Sequence, residues 1–313
     1  MPSCTTHFIH SNEVYNNLKD EVKQEIDTNK LIYNAFAQSH DYFYYSFNKE
    51  AKKLGSRGHH RNTRDFLINI INYIKDNKLQ DHKELVCCLY GYITHYVLDT
   101  TCHPFIFYKT GVYRHDKETK KYKGLHSKME NDIDALYYER YYHMSYKKFS
   151  VARKIIGRPK LTPELCKLID YAYELYDHKN TSKYLKRCFR NARIINHLTT
   201  KDRLGLKLPF FKLYDLITKD HVASYSNHHK PTIDYLNNEH KTWVNPCYDN
   251  ITSNKSFDDL FEDAIKKAVL IIETTYNYLN NNTDLSTLDI IENLDYSSGL
   301  DLKIDKRMDY FEF

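Results

Sequence analysis

The chain has 313 residues, which suits one large domain or two modest ones, because single cores stop growing near roughly 250–300 residues. Hydrophobic residues make up 41% and aromatics 14%, which excludes general disorder, while only eight Gly and seven Pro leave too few turn residues for a sandwich or barrel of many short strands. The net charge of +5 is spread without a basic arm and gives no electrostatic case for nucleic acid.

The expectation is an all-α chain. Residues 12–54 read as two or three helices ending at Gly55, the position of a glycine C-cap. SRGHHRNT follows as a loop, and Asn62 to Asp65 has capping-box spacing before the helical pattern FLINIINYI. A further helix spans about Asp81 to Cys102 and is expected to stop at Pro104. A Lys- and Tyr-rich loop covers 108–123, and helix signals resume from Gly124 to about Tyr142. Thr162-Pro163-Glu164 gives an N-cap with Pro at the first helical position, and Ser256 to Asp259 caps a long amphipathic stretch reaching Leu279. Between them, 218–255 is polar and loop-like, and the acidic, Asn-rich tail after Asn281 is expected to be peripheral. The aromatic runs FYYSF and ALYYERYY read as helix core.

Seven Cys without a CxxC pair indicate buried or free thiols in a reducing compartment. No signal peptide is visible and no apolar run approaches ~18 residues, so a cytoplasmic protein is the expectation. Seventeen His are more informative, since His is the commonest metal ligand. In YGYITHYVLDTTCHP, His95 and Asp99 share a helix face, with His103 next if the helix persists. In GLHSKMENDID, His126 and Glu130 have the same spacing. One such pair is usually a surface salt bridge or a capped histidine. Two pairs inside otherwise apolar segments are a zinc pattern, because burying these groups uncompensated would cost several kcal/mol apiece. Asp41, His59 or His60, and His7 are further candidates, and Tyr92 could support His95 from one turn away. His178, His197, His221, His228, His229 and His240 have no partner at ligand spacing and read as solvated or structural.

GLHSKMEN closely matches the Gly-Phe-His-Ser-Lys-x-Glu-Asn segment of the bacterial zinc-dependent phospholipases C, and THYVLD matches their His-x-x-x-Asp helix. The opening MPSCTTHF resembles the intracellular, unsecreted type of low-GC Gram-positive bacteria. The motif-bearing resemblance covers residues 1 to about 142 and continues more loosely to about 281. It implies a single multi-helix domain at 1–281, of the kind shared with the three-zinc nucleases, with 282–313 as an acidic C-terminal extension.

The resemblance further implies that His103, His126 and Glu130 hold one zinc, and that Asp41, His59, His95 and Asp99 hold a second. Asp99 would bridge towards a third zinc bound by His7, so two or three Zn2+ ions are expected. His59 is preferred to His60 for its distance to the following helix. Secreted relatives complete the third site with an N-terminal Trp, whereas this chain begins Met1-Pro2, and Asp99 and His103 stand closer together than in those enzymes. The implied activity is phospholipid hydrolysis to diacylglycerol and a phosphorylated headgroup by a zinc-bound water, with Asp41 as the catalytic base. Phospholipid or another phosphodiester would be the partner, met in transient contact with a membrane surface, and nucleic acid would not. The alternatives are a three-zinc nuclease-like phosphoesterase, disfavoured by Glu130 where those enzymes place Asp, and a non-catalytic zinc-binding helical protein.

Overall fold

The computed structural model describes residues 4–200, 202, 204, 206–218, 222–225, 234–281 and 283–312. Its organising element is α6 (Lys83–Thr110), a helix apolar nearly all round and buried from Leu85 to Thr100. Helices α3 (Lys30–Phe36) and α12 (Phe257–Asn280) pack along α6, and α1 (Cys4–Asn17), α5 (Thr63–Asp76) and α7 (Leu125–Tyr142) complete the shell around it. Gly91 sets the α3–α6 approach, because a Cβ there would sit 2.6 Å from the Tyr33 carbonyl oxygen and 2.8 Å from the Phe36 Cβ. Two further elements extend the shell: α9 (Pro163–Glu174) and α10 (Thr181–Thr199). Thr162 caps α9 through the Leu165 N–H, and Ser256 and Asp259 form a full capping box on α12, both as expected.

Six expectations need correction. Gly55 does not cap a helix and SRGHHRNT is not a loop, because α4 runs unbroken over Lys49–His60. Its glycines serve contact instead of termination, since a Cβ at Gly58 would lie 2.3 Å from the His40 ring. Asn62 lies in the left-handed region and makes no capping bond. The Thr63 hydroxyl and Arg64 N–H bond instead to Asn293 and Leu294 of the C-terminal segment.

Pro104 does not end α6, which continues for six residues to a C-cap at Gly111. The Thr100 carbonyl, deprived of a donor at residue 104, faces Gly299, where a Cβ would be 2.5 Å away. The 218–255 stretch contains an antiparallel hairpin, β1 (Trp243–Asn245) and β2 (Tyr248–Ser253), pairing Trp243 with Ser253 and Asn245 with Tyr248. Burial of Trp243 against Phe105, with its indole N–H donated to the Lys255 carbonyl, fastens the hairpin to α6.

The tail is not peripheral: Leu288, Ile291 and Tyr296 are buried, and Asp295–Gly299 folds over α4 and α6. Phe43, Tyr45, Tyr137 and Tyr138 are core as expected, while Phe47, Tyr141 and Tyr142 of the same runs are exposed. All seven cysteines are free thiols. No helix among the described residues is long and apolar enough to cross a membrane.

The tight α3–α6 contact gives a direct test. Gly91→Ala is expected to lower stability by about 1–3 kcal/mol, read from the urea midpoint, and an unchanged midpoint would contradict the contact.

Candidate metal centre

The continuity of α6 through Pro104 puts His95, Asp99 and His103 on successive turns of one stripe. Four other elements aim side chains at that stripe. Helix α1 brings His7, the 3-10 segment Ser39–Tyr45 brings Asp41, the last turn of α4 brings His59, and the start of α7 brings His126 and Glu130. All are buried except His103 and His126, which are half-buried.

Asp99 is the hub. Its carboxylate oxygens lie 3.2 Å from His7 Nε2, 3.3 Å from His95 Nε2, 3.7 Å from His59 Nε2 and 3.7 Å from His103 Nε2. Beside it, His59 Nε2 is 3.1 Å from Asp41 Oδ1 and 3.4 Å from His95 Nε2. On the other side, Glu130 Oε1 is 3.3 Å from His103 Nε2 and 3.2 Å from His126 Nε2. Ligands about 2.0–2.2 Å from a tetrahedral zinc stand roughly 3.3–3.6 Å apart, so these spacings match the edges of such a site.

Two groups could each hold an ion: His7, Asp41, His95 and Asp99, and His103, His126 and Glu130. The chemistry of the orphaned atoms agrees, since Asp41 Oδ2, Asp99 Oδ2 and Glu130 Oε2 are buried without a hydrogen-bond partner. Unpaired carboxylate oxygens of this kind cost several kcal/mol, which a bound cation offsets. His7 stands in the first group and His59, expected there, stands outside both, while the N-terminal residues expected beside His7 lie outside the described residues.

His60 belongs to neither group, its Nδ1 donating to Asp295 Oδ2 at 2.5 Å while it borders the space above the ligands. Tyr92 bonds the Tyr173 hydroxyl and touches none of the candidate ligands by hydrogen bond. His178 bonds Thr181, and His197 and His240 are exposed; His221, His228 and His229 lie outside the described residues.

Sequence reasoning missed the residues that orient these side chains. His59 Nδ1 donates to the Gly55 carbonyl at 2.7 Å, and His103 Nδ1 donates to the Tyr296 carbonyl at 3.1 Å, so each ring presents Nε2 to the site. The Tyr296 ring packs 4.9 Å from His59 and 5.6 Å from His95. His40, at the bottom, bonds the Tyr173 hydroxyl at 2.6 Å and fills the space that Gly58 leaves. The tail gave no local signal for this role, because Tyr296 reaches the site through tertiary folding alone. A cleft of about 260 Å³ opens over the ligands, reaching Asp41 and His59 on one side and His126 and Glu130 on the other, between Tyr44, Phe107 and Ser297.

A family model described as zinc dependent phospholipase C matches residues 6–190. The chain belongs to the zinc-dependent phospholipase C family. The match spans every candidate ligand and stops before the hairpin and the C-terminal segment. No curated protein and no solved structure matches the chain significantly. The family is zinc-dependent, and the two groups could hold two metal ions.

Burial, only partly offset by Asp99, keeps His95 well below the ordinary imidazole value and therefore neutral. For His103, burial is outweighed by Asp99 and Glu130, and its pKa is pushed up to about 10. Because this value is raised above 6.5, His103 pairing stabilises the metal-free fold fully below about pH 6.5 and is lost as pH rises towards 10. At pH 8 the metal-free ring is still protonated, and zinc requires it neutral. Zinc loading at pH 8 is therefore expected to release about one proton or more per chain. Calorimetry in buffers of different ionisation enthalpy reads this, and a buffer-independent heat would contradict it.

Proposed function

We propose that the protein is a phosphodiesterase that hydrolyses phospholipid to diacylglycerol and a phosphorylated headgroup. The observation that carries this reading is an open cleft that reaches residues of both ligand groups at once. A phosphate placed there would meet both. Zinc ions held by these groups would supply an acidified water and neutralise charge on the non-bridging phosphate oxygens.

The chain's own part falls first to Asp41. It borders the cleft, its Oδ2 has no hydrogen-bond partner, and burial pushes its carboxyl above the ordinary Asp value. A carboxylate so placed suits acceptance of a proton from an attacking water. His59 Nε2, at 3.1 Å from Oδ1, sets the plane of that carboxylate. Tyr44 and Phe107 give the cleft apolar walls that limit bulk water, and Phe107 stacks on His126 at 4.5 Å, holding that ring in place. None of the described residues lining the cleft is Lys or Arg, which favours a lipid phosphodiester over a nucleic-acid strand, whose repeated phosphates are ordinarily followed by cations.

Hydrolysis of short-chain phosphatidylcholine is expected to vanish on chelation, return with zinc, and exceed hydrolysis of single-stranded DNA. Asp41→Asn should lower kcat by roughly 10²–10⁴-fold, and His126→Ala should abolish turnover and reduce zinc content, while His178→Ala does neither. Turnover that survives complete chelation, or cleavage of DNA without cleavage of lipid, would overturn the reading.

A further inference from the structure

The outer faces of α10 and of α11 (Lys207–Thr218) form a surface that neither the core nor the metal centre uses. Helix α10 buries Leu185, Cys188, Phe189 and Ala192 against the body and turns Arg190, Ile194 and Leu198 outward. A groove beside it is lined by Arg153, Arg158, Arg190 and Arg193 together with Ile194 and Leu198. None of these four arginines forms an ion pair with a described residue.

Helix α11, KLPFFKLYDLIT, buries no residue at all: Phe210 is 65% exposed, Leu216 78% and Ile217 73%. It is nevertheless fixed in place at the end of α10. The Asp202 carboxylate accepts from the Leu206 and Lys207 N–H groups at 3.2 and 2.6 Å, and the Lys207 ammonium donates to the Thr200 carbonyl at 2.8 Å. The apolar helix and the cationic groove are therefore neighbours.

Contiguous apolar side chains left in water mark an interaction site. Arginines without an ion pair among the described residues, beside exposed Leu, Ile and Phe, are the chemistry of an anionic membrane interface, where apolar groups enter the acyl boundary and cations meet headgroup phosphates. Symmetric pairing of two copies through this face would bring like-charged grooves together in a chain of net charge +5, which disfavours a second copy as the occupant. We propose that the α10–α11 face docks the protein on an anionic phospholipid surface. The inference rests on the phospholipid reading in that it supplies the route by which the chain reaches a substrate packed in a bilayer.

Co-sedimentation of the full chain with phosphatidylcholine vesicles, with and without phosphatidylglycerol, tests it. Binding is expected only to the anionic vesicles and to weaken as salt rises. Arg190→Glu and Arg193→Glu should each reduce partitioning roughly fivefold or more, and Leu216→Ser with Ile217→Ser should reduce it further. All four positions lie outside the metal centre, so hydrolysis of a short-chain, monomeric phosphatidylcholine should stay unchanged. Loss of that hydrolysis in the unsubstituted chain would instead defeat the phospholipid reading. Equal binding to neutral and anionic vesicles, or no binding together with a concentration-dependent dimer that the α11 substitutions dissolve, would overturn the docking proposal.

Discussion

The structure turns on one buried carboxylate. Asp99 sits in the middle of the longest helix with four imidazole nitrogens within 3.2–3.7 Å, and its Oδ2 has no hydrogen bond of its own. A charge so deep in the protein is tolerated only where partners surround it. The surrounding elements can be understood as the means of delivering those partners. Helix α1 brings His7, α4 brings His59, and α6 itself supplies His95 and His103 from adjacent turns. Asp99 also lies between the two ligand groups, with His103 reaching across from the second, so the groups are mechanically one unit.

Keeping this unit intact explains several breaches of local rules. Two glycines in α4 cost helix propensity, yet Gly58 leaves the space that His40 fills beneath the ligands. Pro104 removes a helical hydrogen bond, but ending α6 there would release His103 from the stripe. The C-terminal segment closes over the same place. Gly299 comes up to the Thr100 carbonyl, and Tyr296 donates its N–H to the His59 carbonyl while accepting from His103 Nδ1. A segment some two hundred residues from its targets thereby orients two candidate ligands, and that segment lies beyond the part of the chain matched by the family model.

Much of this was legible in the sequence. The shortage of Gly and Pro and the helical periodicities gave the all-helical class, and the caps at Thr162 and Ser256 were read correctly because capping is a local interaction. His95 and Asp99, and His126 and Glu130, were found because helical spacing is also local. Of the two adjacent histidines, His59 faces Asp41 and His60 pairs with Asp295, although His59 stands outside both ligand groups. What failed was tertiary override. Nothing near Gly55 or Pro104 reveals that a distant ring or loop needs those positions, and nothing in the tail marks Tyr296 as a neighbour of His103. The hairpin was hidden for the same reason, since it is fastened by Trp243 packing on Phe105 and not by alternation along its own short strands.

The measurement that tests this account most directly is zinc stoichiometry by elemental analysis, on the unsubstituted chain and on Asp99→Asn. If the two groups are metal sites joined at Asp99, the unsubstituted protein carries two zinc ions per chain, matching its two groups, and the variant loses metal from both while keeping its helical content. A folded chain that binds no zinc, or an Asp99→Asn variant that retains full occupancy, would contradict it.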